Sequence, residues 1–424
     1  MRPDVVPLTA VQVRGFWAAW LGWTLDGMDS FIFALVLAPA LTELLPKSGM
    51  DGSPSHVVFA GSVLFAVFLS GWGTSFIWGP LADRWGRTRT LAASVACYAL
   101  FTGAAAFSQN VWQLGAFRFL AGVGIGGEWA LAGTYVAEVW PESRRKMGAG
   151  YLQTGYYAGF FLAAALNFTI GASYGWRVMF LCGGAPVLLS LYMLSKLREP
   201  DRWVKVSEKS APHAPLKEIF RATYRRRTLV NATLVTISII GLWAGAVYEP
   251  SAIITLAKQA GHSAREAARL ASFGTALLSI GTCLGCLTVP ILAERIGRRA
   301  TLALFFIGMA ICIWLSFGWA FYAINGALSL FIASLFLLGF FGGNFAMYSL
   351  WLPEQYSTAV RATAFAFVTS FGRFVGAGVN FLIGAGVHSY GSVGVPVAAT
   401  ALAFLLGLAV VPFGSETRGA RLPD

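Results

Sequence analysis

The sequence contains twelve apolar runs, each 20 to 30 residues long, separated by short polar stretches. A helix of about 20 residues, rising about 1.5 Å per residue, crosses the roughly 30 Å hydrocarbon layer of a bilayer. A chain with 57% hydrophobic and 12% charged residues carries too little polar surface to cover a soluble globule. We therefore predict an all-α membrane protein with twelve transmembrane helices, at residues 16–45, 57–82, 89–108, 112–140, 147–171, 176–196, 229–257, 269–293, 300–322, 327–352, 362–388 and 392–413.

The two halves of the sequence resemble each other. The stretch GPLADRWGRTR at residues 79–89 returns in degenerate form as PILAERIGRR at residues 290–299. A Pro-Glu pair that begins at Pro141 in the first half has its counterpart at Pro353 in the second, an offset of 212 residues. We therefore predict two pseudo-symmetric six-helix bundles joined by a charged cytoplasmic linker, with boundaries at 1–198, 199–227 and 228–424.

Basic residues are concentrated in alternate loops. The segments at 84–89, 144–146 and 295–299 carry several each, whereas the loops near 109 and 324 carry none. Because cytoplasmic loops of membrane proteins are enriched in Lys and Arg, we expect both termini on the cytoplasmic side of the plasma (cell inner) membrane. This topology accounts for the net charge of +12, so we expect contact with the lipid bilayer and none with nucleic acid.

Several motifs resemble those of the major facilitator superfamily. The hairpin at 79–89 matches its signature between spans 2 and 3, and residues 297–299 match a weaker second copy. Three further stretches, LDGMD at 25–29, RFLAGVGIGGE at 118–128 and YSLWLPEQYSTAVR at 348–361, are similar to the proton-coupled organic-acid branch. That branch includes sialate and monocarboxylate symporters and their aromatic-acid relatives. The resemblance covers the whole chain.

The resemblance implies two halves that rock about a central site, with charged latches on the cytoplasmic face in the outward-facing state. Hairpin Arg side chains can pair with acids, and Asp83 can accept hydrogen bonds from a helix N-terminus. The alternative is that the Arg residues serve topology alone. Toward the extracellular end, Glu249 beside Pro250 is a candidate gate, or else lies at the headgroup level. The predicted latch residues are Asp83, Arg84, Arg87, Glu138, Glu142, Arg145, Glu294, Arg298, Glu354 and Arg361.

Three acids lie near the middle of predicted spans. An ionisable side chain costs at least about 2.5 kcal/mol at the bilayer centre, so each one is a functional candidate. Asp26 and Asp29 are spaced i, i+3, which turns them to one face of span 1, and two such carboxylates repel each other unless one binds a proton. Glu128 follows a glycine-rich stretch of span 4. We predict proton coupling at these acids; fixed hydrogen bonding is the alternative.

Arg373 is the one cation in the middle of the second half. A guanidinium binds a carboxylate bidentately and stays charged, so it suits an anionic substrate; a structural ion pair is the alternative. Arg118, shallower in span 4, is a further candidate for the substrate, or could pair with an acid of another helix. The remaining candidates for the substrate site offer hydrogen bonds or aromatic faces, and they are Asn344, Gln153, Tyr156, Tyr157, Trp243 and Asn380.

These features predict a secondary transporter that carries an organic anion together with protons by alternating access and functions as a monomer. The substrate carboxylate would bind Arg373, and the proton would reduce the charge moved across the bilayer. A sugar or other neutral-solute carrier is the alternative, and a drug/proton antiporter is less favoured. The sequence contains no readable metal-ligand cluster, phosphate-binding loop or nucleophile with a base, so we predict that the protein is not an enzyme and uses neither metal nor cofactor.

Overall fold

The computed structural model describes residues 7–201, 203–205 and 215–423, with the side chains of a few helical residues, Trp243 among them, outside the description. Within these ranges all regular structure is helical, and twelve membrane-spanning segments, labelled α1 to α12 in chain order, form two six-helix bundles. The predicted fold class is confirmed.

The helix boundaries follow the predicted spans closely. The first bundle comprises α1 (Ala10–Lys47), α2 (Pro54–Thr74, continued by Ser75–Ile77 and Trp78–Trp85), α3 (Arg87–Ala105), α4 (Val111–Val139), α5 (Arg145–Leu166, continued by Asn167–Gly171 and Ala172–Tyr174) and α6 (Trp176–Gly184 and Val187–Lys196). The second bundle comprises α7 (Ala222–Gln259), α8 (Ala264–Ile296), α9 (Arg298–Ile313, continued by Trp314–Trp319 and Ala320–Tyr322), α10 (Ala327–Gly342 and Phe345–Trp351), α11 (Arg361–Tyr390) and α12 (Gly394–Ala399 and Ala401–Val410). Helix α7 starts earlier than the predicted residue 229, inside the stretch that we predicted as linker.

Nine of the twelve segments are long and apolar enough, over the residues described, to cross a membrane by composition alone. The other three are α3, α4 and α5, which are more polar. They pack against protein: α3 lies along α4, α4 also contacts α2, and α5 lies between α1 and α8. Their polar side chains can therefore be accommodated by neighbouring helices instead of lipid.

Glycine allows close helix packing at equivalent places in the two bundles. Gly71 of α2 and Gly122 of α4 each face a backbone carbonyl of the other helix, and Gly281 of α8 and Gly339 of α10 do the same in the second bundle. A side chain at any of these positions would collide with that carbonyl. Without a hydrophobic force between helices in lipid, such close backbone contact is a main source of helix association.

The two bundles meet along two helix pairs, α2 with α11 and α5 with α8. We call the end that carries the tight α2–α3 and α8–α9 turns the charged end. These turns are made by Gly86 and Gly297, whose φ angles of +111° and +92° favour glycine. The start of α1 also lies there, since Gln12 Nε2 donates to the carbonyl of Val139 at 2.8 Å.

Gly159→Ala should destabilise the protein, because Gly159 of α5 faces the carbonyl of Thr24 in α1 and a methyl group would push these helices apart. Overpacking of this kind costs about 1–3 kcal/mol, so the thermal midpoint of the purified protein in detergent should fall by several degrees. Gly378→Ala in α11 is the matched control, since a Cβ there meets no heavy atom within 4 Å. Equal falls in the two variants would contradict the close packing of α1 on α5.

Candidate transport site

A small aromatic cavity lies between the two bundles. Its volume is about 20 Å³, room for about one water molecule, so the bundles are closed around it. Four predicted substrate residues, Gln153, Tyr156, Tyr157 and Arg373, line it together. The complete lining is Trp23, Trp72, Trp129, Gln153, Tyr156, Tyr157, Ile239, Leu242, Phe345 and Arg373.

Arg373 of α11 is buried against two tryptophan rings. It is 2% exposed, and its guanidinium carbon lies 4.3 Å from the ring centroid of Trp72 and 5.6 Å from that of Trp129. Cation–π contacts of this kind contribute about 0.5–2 kcal/mol. Among the side chains that the structure describes, none forms a salt bridge with Arg373, and its Nη1 has no acceptor. The guanidinium therefore keeps its capacity to bind an anion.

Asp26 and Glu128 are fully buried carboxyl groups near this arginine. Glu128 and Arg373 are both close enough to act electrostatically on Asp26, and the carboxyl group of Glu128 occupies the space left by the missing side chain of Gly22 in α1. Asp26 Oδ1 accepts a long hydrogen bond of 3.4 Å from Ser30, while its Oδ2 and both Glu128 oxygens have no donor within the described ranges. A carboxyl group that no donor satisfies is suited to binding and releasing a proton.

Asp29, in contrast, belongs to a closed polar cluster inside the first bundle. Its Oδ1 lies 3.3 Å from Arg118 Nη1, its Oδ2 accepts from Thr102 Oγ1 at 2.8 Å, and Arg118 Nη2 donates to the same Thr102 oxygen at 2.6 Å. The expected common face of Asp26 and Asp29 is thus only approximate, because positions i and i+3 differ by about 60° around a helix. The two acids contact different neighbours.

A hydrogen-bond chain crosses from one bundle to the other beside the cavity. Trp129 Nε1 of α4 donates to Ser349 Oγ of α10 at 2.8 Å, and this hydroxyl donates to Gln153 Oε1 of α5 at 3.2 Å. Trp129 also packs 5.6 Å, centroid to centroid, from Phe345 of α10. These contacts keep the two bundles together on the charged-end side of the cavity.

The other predicted residues lie at different places. Asn344 and Asn380 are buried, and each donates through Nδ2 to a carbonyl of its own segment while its Oδ1 has no donor in the described part of the chain. Glu249 is also buried and accepts from Thr275 Oγ1 at 3.0 Å, so its carboxyl group is enclosed between α7 and α8. Trp243 belongs to α7, but its side chain lies outside the description.

Some residues that shape the site were not found from the sequence. Trp72, Trp129, Ser349 and Thr102 all contact predicted candidates, yet none of them was predicted. The chain has 15 tryptophans, and nothing in the sequence distinguishes the two that hold Arg373 from those that face lipid. The polar residues Ser349 and Thr102 lie in apolar runs, which is the one signal that sequence offers for them.

At the charged end, one buried acid joins the bundles through two arginines. Glu138 of α4 lies 3.2 Å from Arg87 of α3 in its own bundle and 2.8 Å from Arg361 of α11 in the other bundle. Asp83 adds a second link: it pairs with Arg87 at 2.6 Å and accepts from the backbone N–H of Thr363, in the first turn of α11, at 3.1 Å. This helix-terminal hydrogen bond is the geometry that we expected for Asp83.

The second half repeats the arrangement with the bundles exchanged. Glu354, which follows α10, lies 2.9 Å from Arg298 of α9 in its own bundle and 3.3 Å from Arg145 of α5 in the other. Glu294 pairs with Arg298 at 2.6 Å and with Lys146 of the other bundle at 2.7 Å, across the contact between the bundles that we call the seam. The remaining predicted latch residues differ in position: Glu142 pairs with Arg145 at 2.8 Å, and Arg84 is exposed.

An acid caps the helix after each tight turn. Glu199 accepts from the backbone N–H groups of Arg87 and Thr88 at 2.6 and 3.1 Å, and Glu416 accepts from those of Arg298 and Arg299 at 3.0 and 3.2 Å. A carboxylate at a helix N-terminus satisfies unpaired donors and interacts favourably with the helix dipole.

The segment 417–423 crosses the closed charged end. The carbonyl of Ala420 accepts from Arg145 at 3.2 Å, the N–H of Leu422 donates to Glu142 at 3.1 Å, and the carbonyl of Pro423 accepts from Arg361. Leu422 is 5% exposed. The segment therefore contacts both bundles and adds a further layer over the ion pairs.

Twelve helices in two related bundles, closed around a buried cation and two buried acids, define a membrane carrier. Residues 19–285 match the family model described as Major Facilitator Superfamily, and residues 205–423 match the model described as Sugar (and other) transporter. The chain belongs to the major facilitator superfamily, so the predicted family is confirmed.

Similar proteins agree with this assignment. The chain is 32% identical over 389 residues to a probable 4-methylmuconolactone transporter of Cupriavidus pinatubonensis, covering 89% of this chain and 84% of the relative. It is 29% identical to the 4-hydroxybenzoate transporter PcaK of Pseudomonas aeruginosa (89% and 87% covered) and 27% identical to the niacin transporter NiaP of Acinetobacter baylyi (99% and 98% covered). These relatives are transporters and not enzymes, as predicted for this chain.

Solved structures show the same fold. The proton:xylose symporter XylE superposes with a TM-score of 0.80 at 18% identity, covering 97% of this chain and 98% of that one. At this level of identity the likeness concerns the fold alone.

Glu138→Gln should strongly destabilise the closed arrangement, because this one buried carboxylate holds arginines of both bundles. Removing one partner of a buried ion pair costs about 3–5 kcal/mol, which should lower the thermal midpoint in detergent. Glu43→Gln is the matched control: Glu43 also contacts two cations, Lys47 and Arg177, but its side chain is 34% exposed, and exposed pairs contribute at most about 1 kcal/mol. A midpoint unchanged in Glu138→Gln would show that the latch contributes nothing to closure.

Proposed function

We propose that the protein is a symporter of protons and aromatic monocarboxylates that works as a monomer, by alternating access, in the plasma (cell inner) membrane. Arg373 carries the proposal: it is a buried guanidinium on the faces of Trp72 and Trp129, with no ion-pair partner in the described residues. The charge suits a carboxylate and the ring faces suit a planar substrate. The relatives named for 4-hydroxybenzoate and niacin, which are aromatic acids, support this substrate class.

The positions of the acids support coupling to protons. A substrate carboxylate at Arg373 adds one negative charge to a site that already contains Asp26 and Glu128 nearby. One proton bound to Glu128 or Asp26 cancels that addition, so the loaded site carries no more charge through the membrane than the empty one. Asp29 would not exchange the proton in this proposal, because it stays in its ion pair with Arg118 and its hydrogen bond with Thr102.

The charged end supports alternating access. Its basic residues favour a cytoplasmic position, and on this proposed topology the closed charged end faces the cytoplasm. Release to that side requires Glu138 and Arg361 to separate, and likewise Glu354 and Arg145. Substrate and proton must therefore bind the conformations in which the charged end opens more tightly than the closed conformation. Equal affinity for all conformations would shift no population.

A sugar carrier is the alternative, favoured by the match of residues 205–423 to the sugar transporter model. The hydroxyls of Tyr156 and Tyr157 and the amide of Gln153 could also bond a sugar, so the preference for an aromatic acid depends on the charge of Arg373.

Arg373→Gln should abolish most uptake of aromatic acids, since a neutral amide cannot replace the charge-assisted hydrogen bonds of a guanidinium. Bonds of that type are worth about 1.5–3 kcal/mol, so kcat/KM should fall by about 10- to 100-fold. The assay is uptake of benzoate, 4-hydroxybenzoate, nicotinate and xylose into proteoliposomes with an inward proton gradient. Arg177→Gln is the control, because Arg177 also lies on a tryptophan, 4.0 Å from the ring of Trp176, but far from the cavity. Xylose uptake that survives in Arg373→Gln would favour the sugar carrier.

Glu128→Gln should separate transport from the proton gradient. Glutamine is permanently neutral and nearly the same shape, so exchange of labelled for unlabelled acid should persist while accumulation driven by an imposed pH gradient is lost. Asp26→Asn in parallel tests which acid carries the proton. If Glu128→Gln and Asp26→Asn both still accumulate substrate in proportion to the gradient, neither residue is the coupling site.

A further inference from the structure

A second cavity lies between the bundles toward the end opposite the charged end. It has a volume of about 170 Å³ and is bounded by α1 and α2 of the first bundle and by α7 and α11 of the second. A closed apolar cavity of about 150 Å³ is large enough for a benzene ring. This outer cavity therefore has room for one aromatic ring, in contrast to the inner cavity of about 20 Å³ around Arg373.

The walls of the outer cavity are mostly apolar, with a polar group on one side. Leu37, Phe65 and Val247 provide apolar surface, and the polar residues of the lining are Ser62, Tyr248, Ser251 and Asn380. The first three of these already have partners: the Tyr248 hydroxyl donates to the backbone carbonyl of Asn380 at 3.3 Å, the Ser251 hydroxyl donates to the carbonyl of Tyr248 at 2.8 Å, and Ser62 bonds the Tyr248 side chain.

Asn380 leaves one acceptor without a partner. The residue is 3% exposed, and its Nδ2 donates to the carbonyl of Gly376 at 3.0 Å. Since that carbonyl can only accept, the amide nitrogen must face it, which fixes Oδ1 as the remaining atom. Oδ1 has no donor among the described residues. A buried acceptor without a donor costs about 1–3 kcal/mol, which a ligand that supplies a donor would recover.

The outer cavity repeats the chemistry of the inner one two helical turns away. Asn380 follows Arg373 by seven residues on α11, and Phe65 precedes Trp72 by seven residues on α2. Seven residues place side chains on the same helix face about 10 Å apart. Each cavity thus combines an aromatic ring of α2 with a polar group of α11, and the outer polar group is a neutral acceptor where the inner one is a cation.

We infer that the outer cavity is an entry subsite that binds the ring of an aromatic substrate carrying a hydroxyl donor, with Asn380 Oδ1 accepting from that hydroxyl. The inference rests on the proposed function, because it assigns the substrate a route from this subsite to Arg373. The subsite selects among aromatic acids by their hydroxyl substituents, whereas Arg373 selects the carboxylate.

The test uses phenol, which has the ring and the donor but no carboxylate for Arg373, and methoxybenzene, which lacks the donor. Binding is measured as the rise in thermal midpoint of the purified protein in detergent over a ligand titration. Phenol should bind the unaltered protein about fivefold more tightly than methoxybenzene, the effect of one ordinary hydrogen bond. In Asn380→Leu, which keeps the side-chain size, the two ligands should bind equally.

Equal binding in the unaltered protein, or a phenol preference that persists in Asn380→Leu, would overturn the inference. If Asn380→Leu does not fold, Val247→Phe serves instead, because its larger ring fills the cavity from α7. Binding of both ligands should then be abolished, and unchanged binding in this variant would also overturn the inference. Failure of the proposed function is seen separately, as absence of gradient-driven benzoate uptake, which does not enter the binding assay.

Discussion

A charge inside a membrane protein must find a partner, and most of this structure depends on which charges have found one. At the charged end, Glu138 and Glu354 each contact arginines of both bundles. In the first bundle, Asp29 and Arg118 form an ion pair, and Thr102 bonds both of them. These paired groups hold helices together. Asp26, Glu128 and Arg373 are buried without equivalent partners in the described chain, and these are the groups to which the proposed function assigns exchangeable partners.

The internal repeat explains the scaffold but not the site. Both bundles repeat the tight glycine turn, the capping acid, the close glycine contacts and the acid that contacts arginines on both sides of the seam. Around the inner cavity this symmetry is broken: in the described chain the acids without a cation partner, Asp26 and Glu128, belong to α1 and α4, whereas the cation without an acid partner, Arg373, belongs to α11. Opposite charges therefore face each other across the seam along which the bundles must move. On the proposed mechanism, a substrate anion binds Arg373, and a proton on Asp26 or Glu128 compensates for the negative charge that it adds.

The sequence predicts the scaffold well because its signals are local. Apolar runs long enough to cross a bilayer located the helices, and the repeated hairpins and Pro-Glu pairs located the ion pairs of Arg87, Arg145, Arg298 and Arg361. The site could be predicted only in part. Depth along a span identified Asp26, Glu128 and Arg373 as buried ionisable groups, but which neighbour each one meets depends on helix rotation and on contacts between distant segments. For this reason the pairing of Asp29 with Thr102, and the tryptophans that hold Arg373, needed coordinates.

The two ends between the bundles are closed by different means, so opening each end requires different contacts to break. The charged end is closed by buried ion pairs, by the hydrogen bonds of Asp83 to the start of α11 and by the crossing segment 417–423. At the other end, the contact of Tyr248 with Asn380 borders a cavity large enough for an aromatic ring. Separating buried ion pairs costs several kcal/mol, whereas displacing one neutral hydrogen bond costs about 1 kcal/mol. On the proposed function, opening of the charged end, where buried ion pairs must separate, is therefore the step for which substrate and proton must supply free energy.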